Sequence, residues 1–138
     1  MTHLPRTFGP LTAFLFSLAT ASAAQAVHEV SLEVNVEKEI YEFNPARVSV
    51  RPGDIVKFRT VSGAPHSIVF EGSGLTEQAH EALNGAMGRR PSDLSSPLLT
   101  QNGVEYRVVV PALPPGSYEF YCLPHRAYDM RGTLVVGK

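Results

Sequence analysis

The sequence predicts an all-β protein, an antiparallel β-sandwich of about seven or eight strands, and three observations carry that expectation. Val30, Leu32, Val34 and Val36 alternate with Ser31, Glu33, Asn35 and Glu37, the period of two that a strand shows when one face is buried. Six further short runs follow, at Val48 to Val50, Ile55 to Arg59, Ser67 to Phe70, Tyr106 to Val110, Tyr118 to Tyr121 and Thr133 to Val136. Gly and Pro punctuate them and no helices alternate with them, which removes the parallel α/β arrangements.

Taken in chain order, the first element is an export leader. Residues 1 to 26 contain one formal charge, Arg6, followed by an apolar, small-residue stretch from Leu11 to Ala24 and the small-x-small tripeptide Ala24-Gln25-Ala26. Cleavage is expected after Ala26, within three residues. The apolar stretch falls short of the ~20 residues a spanning helix needs, so no stable membrane insertion is expected once the leader is removed. Residues 27–138 remain as one domain, and 43% hydrophobic with 18% charged residues suits a single core. Twelve basic residues less Arg6, against 13 acidic ones, leave a charge of -2. With neither a basic stripe nor a run of like charge, a nucleic-acid or anionic-membrane partner has no electrostatic support.

Turn chemistry then separates the strands. Arg51-Pro52-Gly53-Asp54 and Leu113-Pro114-Pro115-Gly116 combine fixed-φ Pro with permissive Gly between apolar runs. One segment departs from the β pattern. Between Thr76 and Met87, the apolar residues Ala79, Ala82, Leu83, Ala86 and Met87 recur at three and four, Thr76 offers an N-cap and Gly88 a C-terminal stop. Glu77 in the first turn, with Arg89 and Arg90 past the end, complements the helix dipole. A short helix is predicted there, followed by a loop over residues 88–97.

Little in this scaffold can do chemistry except one cluster. Cys122, His125 and Met130 form Cys-x2-His-x4-Met, and His66, after a Pro, lies upstream at the start of a predicted strand. Alone, each has an ordinary explanation: Cys and Met as core packing, His as a surface or satisfied residue. The single Cys of an exported chain cannot form an internal disulfide and would be exposed to oxidation. Together, the thiol, two imidazoles and a thioether are the donor set of a blue-copper electron-transfer site, with coordination keeping the Cys deprotonated. Zinc is also compatible with such ligands on affinity grounds. His28, near the expected cleavage point, and His80, on the polar side of the helix, lack such company and are expected to be solvated; Met87 fits the helix stripe as packing.

Longer stretches support this reading. Phe43-Asn44-Pro45-Ala46-Arg47-Val48, Pro52-Gly53-Asp54-Ile55-Val56-Lys57-Phe58 and Pro65-His66-Ser67-Ile68-Val69-Phe70 resemble the first half of a plastocyanin-like cupredoxin. Leu98-Leu99, Gly116-Ser117-Tyr118-Glu119-Phe120-Tyr121-Cys122-Leu123-Pro124-His125, Met130-Arg131-Gly132 and Val135 are similar to the second half. The resemblance implies a Greek-key sandwich whose one short helix lies between the first His ligand and the Cys ligand, with one type 1 copper held by His66, Cys122, His125 and Met130. It implies an electron exit through the His125 edge, framed by Leu123, Pro124, Ala64 and Pro65 and flanked by Arg126 and Tyr128. Tyr121 offers a second route.

Three departures lie close to the expected metal. Asp129 stands where many such loops carry Gly, and its carboxylate is expected to lower the reduction potential slightly unless Arg126 or Arg131 pairs with it. Ser67 stands where Asn is frequent, with an expected backbone bond to the sulfur and a side-chain bond joining the two ligand loops. A helical insertion lies between His66 and Cys122, and the acidic docking patch of plastocyanins does not map residue for residue onto Glu71, Glu77 and Glu81, so partner identity does not carry over.

These readings converge on a small, soluble, monomeric, exported blue copper protein that shuttles single electrons between larger redox proteins, a donor and an acceptor. A bacterial periplasm is the expected location, with a thylakoid lumen or the cell exterior as alternatives. A copper-binding or copper-delivery protein is the alternative function. An enzyme is disfavoured, since no second His cluster or second Cys is available for a further copper centre.

Overall fold

A computed structural model describes residues 24–137, and residues 1–23 of the expected leader lie outside them. Eight strands among the described residues form two four-stranded sheets: β1 (Val27–Asn35), β2 (Ile40–Asn44), β3 (Arg47–Val50), β4 (Ile55–Thr60), β5 (Val69–Phe70), β6 (Glu105–Val109), β7 (Gly116–Tyr121) and β8 (Arg131–Val136). One sheet runs β2-β1-β4-β6 and the other β3-β8-β7-β5. The expected β-sandwich is therefore present. Its pairing is mixed, however, where the sequence predicts antiparallel: β1 lies parallel to β4 and β3 parallel to β8, while the other ladders are antiparallel. The chain leaves the first sheet after β2, forms β3 in the other, and returns as β4, so β1 and β4 meet in the same direction.

Alternation supplies the core. Val30, Leu32, Phe43, Val56, Phe58 and Val108 face inward from the first sheet, and Val48, Val50, Phe70, Tyr118, Phe120, Leu134 and Val136 from the second. Four phenylalanines join the sheets edge to face around Phe120, with Phe43 at 4.9 Å, Phe58 at 5.4 Å and Phe70 at 5.8 Å between centroids. Gly132 makes this closeness possible, because a Cβ there would lie 2.4 Å from the Phe120 ring and 3.0 Å from the Ala46 carbonyl.

Several local expectations shift. The first strand ends at Asn35, whose side chain caps a 3-10 turn over Val36–Lys38, and Glu39 in the left-handed region redirects the chain into β2. The stretch expected as a strand from Ser67 to Phe70 is regular only at Val69–Phe70. On its outer side it pairs with an irregular segment instead: His66 exchanges backbone bonds with Leu99, and Ile68 donates to the Ser96 hydroxyl while its carbonyl accepts from Ser96 N–H. Part of the expected loop thus serves as a sheet edge.

The helix α1 (Glu77–Ala86) matches expectation, with the Thr76 hydroxyl accepting from Ala79 N–H and Ala79, Leu83 and Met87 buried. Neither spare histidine is simply solvated. His28 Nε2 lies 3.0 Å from Asp54 Oδ2 in a partly buried pair, and His80 Nε2 lies 2.7 Å from Asp93 Oδ2 in an exposed one. No helix among the described residues is long and apolar enough to cross a membrane.

Candidate metal centre

The site lies where the loop before β5 meets the β7–β8 connection. His66 is fully buried and held to Leu99 through both backbone groups, N–H to O at 3.1 Å and the reverse at 2.8 Å. Cys122 follows the last residue of β7 and is also fully buried. From Cys122 to Met130 the chain folds back in a tight turn stitched by its own backbone. Cys122 N–H donates to Met130 O at 3.0 Å, and His125 N–H donates to Cys122 O at 3.2 Å. Arg126, Tyr128 and Asp129 add three more such bonds within the turn. Asp129 closes it in the left-handed region, at φ 57°, the conformation for which Gly is the usual choice and Asp one of the tolerated alternatives.

This turn brings Cys122 and His125 up to His66. The ligand-capable atoms of His66, Cys122 and His125 lie within 4.8 Å of one another. Cys122 Sγ is 3.6 Å from His66 Nδ1 and 3.5 Å from His125 Nδ1. Met130 is fully buried and shares the turn through backbone bonds to Cys122 and His125.

Hydrogen bonding aims the His66 lone pair inward. His66 Nε2 lies 2.7 Å from the Ser62 carbonyl, so it is the protonated nitrogen and Nδ1 is left free toward the sulfur. Burial holds the His66 imidazole below its ordinary pKa; His125 is lowered by burial first and by neighbouring His66 second. Burial pushes the Cys122 thiol up, opposed by backbone N–H groups of Ser67 and His125 that favour a thiolate. The free Nδ1 of His66, the Nδ1 of His125 and the Cys122 sulfur make a cluster of donor atoms largely withdrawn from water. Its chemistry fits a thiophilic metal ion, and the soft sulfur with two imidazoles suits copper.

Surrounding residues behave partly as expected. The Ser67 hydroxyl accepts from Leu123 N–H at 3.1 Å and so ties the two ligand loops together. Asp129 is 84% exposed at its side chain and accepts from Arg131 Nε at 2.7 Å, so its charge is offset and water-screened rather than directed at the metal. That geometry removes the basis for a lowered potential. Leu123, Pro124 and Pro65 are exposed and Ala64 half-buried around the partly exposed His125. The Arg126 guanidinium covers the half-buried Tyr121 ring at 4.5 Å from its centroid.

Two contributors have no signal in the sequence. Tyr41 of β2 stacks on Tyr128 at 4.0 Å and reaches the His125 ring at 5.5 Å, fastening the ligand turn to the opposite sheet. Ser62 acts on His66 through its backbone carbonyl, which any residue type carries.

Comparison with known proteins agrees with this geometry. Residues 29–137 match the profile of copper binding proteins of the plastocyanin/azurin family. The plastocyanin of Dryopteris crassirhizoma is 31% identical over 109 residues, covering 76% of this chain and 97% of the fern protein. That of Nostoc punctiforme is 27% identical over 121 residues, covering 88% and 81%. Among solved structures, oxidised Dryopteris crassirhizoma plastocyanin superposes with a TM-score of 0.62 at 29% identity, over 79% of this chain and 99% of that one. The cuprous form of an amicyanin variant shares the fold, with a TM-score of 0.56 at 22% identity over 87% and 90%.

Proposed function

Because the chain belongs to the plastocyanin/azurin family of copper-binding proteins, we propose that it is a small exported electron carrier, exchanging single electrons between a protein donor and a protein acceptor. It is a plastocyanin-like blue copper cupredoxin, and its cofactor is a single copper ion. We assign His66, Cys122, His125 and Met130 as the ligands. Bound copper would supply a one-electron couple between its cuprous and cupric states.

The observation that carries the reading is the preformed convergence of His66, Cys122 and His125, with both Nδ1 atoms within 3.6 Å of one sulfur. Fast electron transfer needs ligands that barely move when the metal changes charge. The self-bonded Cys122–Met130 turn, the Ser67–Leu123 tie and the Tyr41–Tyr128 stack each oppose such movement. His125 provides the exit, since its ring is partly exposed within an apolar rim that a partner can cover without desolvating charge. A carrier rather than an enzyme suits a chain whose described residues contain one such group of donor atoms, with His66 and Cys122 buried. An export leader ending between residues 23 and 26, removed on export, would put the mature protein in an oxidising compartment such as the periplasm.

Copper delivery is the competing reading, and retention separates the two. The copper-loaded protein is cycled between ascorbate and ferricyanide in the presence of a high-affinity cuprous chelator. A carrier keeps its metal through repeated cycles. Transfer of copper to the chelator on the first reduction would instead establish delivery.

A further inference from the structure

The strongest observation the site does not yet use is the double hydrogen bond made by the Ser62 hydroxyl. Parallel pairing of β1 with β4 ends at Leu32 and Thr60, and the chain then leaves the ladder. Val61 and Ser62 both direct their N–H groups at the Leu32 carbonyl. Two residues further along β1, Val34 would have no backbone partner on this side. The Ser62 hydroxyl takes that place: it accepts from Val34 N–H at 2.9 Å and donates to Val34 O at 3.0 Å. One small side chain thereby continues the ladder and satisfies two half-buried backbone groups.

The same residue's carbonyl accepts from His66 Nε2 at 2.7 Å. Its neighbour Gly63 is pressed against β1, where a Cβ would meet Val34 Cβ at 2.3 Å, with φ at +68°. The loop is thus seated on Val34 by hydroxyl clasp and by close backbone approach, and its carbonyl direction is set by both. We propose that Ser62 is a positioning residue for the metal centre: its hydroxyl, closed on Val34, fixes the carbonyl that holds His66 in the Nε2-protonated tautomer with Nδ1 facing Cys122. Among the described residues the Ser62 backbone carbonyl is the one hydrogen-bond partner of the His66 Nε2 atom. Without the clasp the loop can lift, the carbonyl turns away, and the neutral ring is free to place its proton on the metal-facing nitrogen.

The functional consequence rests on the copper reading, whereas the tautomer does not, and the experiment keeps them apart. Ring nitrogen shifts of His66 are measured by NMR in the full mature protein, metal-free and cuprous-loaded, for wild type, Ser62→Ala and Ser62→Thr. The expected result is one Nε2-protonated tautomer in wild type, a mixture in metal-free S62A, and return to one tautomer in S62T. Cupric affinity should fall by about tenfold to a hundredfold in S62A, the usual effect of losing a group that orients a ligand, and recover in S62T. A single Nε2-protonated tautomer and wild-type affinity in S62A would overturn the proposal. If wild type never gains a thiolate-to-copper band, the copper reading fails and the tautomer comparison alone decides for or against Ser62. Should S62A not fold, Val34 amide exchange in wild type decides: protection supports the clasp, and exchange at the rate of a free amide removes it.

Discussion

Thr60 is fully buried at the end of β4, and its hydroxyl is the one buried side-chain polar atom without a hydrogen-bond partner among the described residues. A buried hydroxyl left unpaired forfeits its hydration with no return, a loss of about 1–3 kcal/mol. Thr60→Val keeps the branched shape and removes the orphan, so it should raise stability by about 1 kcal/mol, read as a higher urea midpoint with unchanged slope. A lower midpoint would mean that the hydroxyl has a partner, such as a buried water. At this scale the sequence was informative wherever function depends on side-chain type. His66, Cys122 and His125 were legible because donor identity and spacing are written in the residues themselves. Ser62 and Tyr41 were not, since one acts through a carbonyl and the other through a stack formed only when the sheets meet.

Among the elements, the β8 start bears on how the site is held and the β3–β4 turn on how the fold responds to acid. Gly132 follows Met130 by two residues and lies against Phe120, the ring on which both sheets converge. Gly132→Ala must displace that ring or the Ala46 backbone, and overpacking of this kind costs about 1–3 kcal/mol, sometimes more. The expected outcome is a lower melting temperature together with weaker copper retention, because Met130, the proposed fourth ligand, immediately precedes β8. Unchanged stability would show that the aromatic cluster can relax.

At the turn between β3 and β4, Asp54 accepts from Ala26 N–H, Arg51 N–H and the His28 ring, and the His28 bond is the main cause holding its carboxyl below the ordinary range. A depressed folded-state pKa means stability that is fully present above the unfolded value, about 3.9, and lost as pH falls through the folded value. Asp54→Asn should therefore flatten the acid limb of the unfolding curve below about pH 4 while lowering stability at neutral pH. An identical acid limb in both proteins would refute the assignment. Strand runs and the helix were legible at this scale because their periodicity is local. The parallel pairings were not, because partner choice depends on which sheet the chain enters next, and β2 was hidden behind the left-handed Glu39.

For the whole molecule, the fold itself bears on where the proposed export leader ends. The Ala26 carbonyl accepts from Ile55 N–H at 2.8 Å, its N–H donates to Asp54, and the Gln25 amide donates to Gly53 O. Cleavage after Ala26 would discard all three contacts, whereas cleavage after Ala23, which ends a second small-x-small tripeptide, keeps them. Intact mass of the exported protein should place its first residue at Ala24, within the window expected from sequence. A first residue at Val27 would show that β1 needs none of these bonds.

The central claim, a redox-active copper held by the Cys122 thiolate between His66 and His125, is tested most directly by an absorption titration. Cupric ion is added to the mature protein, to Cys122→Ser and to His66→Ala, followed by ascorbate and reoxidation. Wild type should gain an intense visible thiolate-to-copper band that saturates at one equivalent, bleaches on reduction and returns on oxidation. The band should be absent from Cys122→Ser and diminished or shifted in His66→Ala. A colourless wild type, or a band that persists without the Cys122 sulfur, would contradict the account.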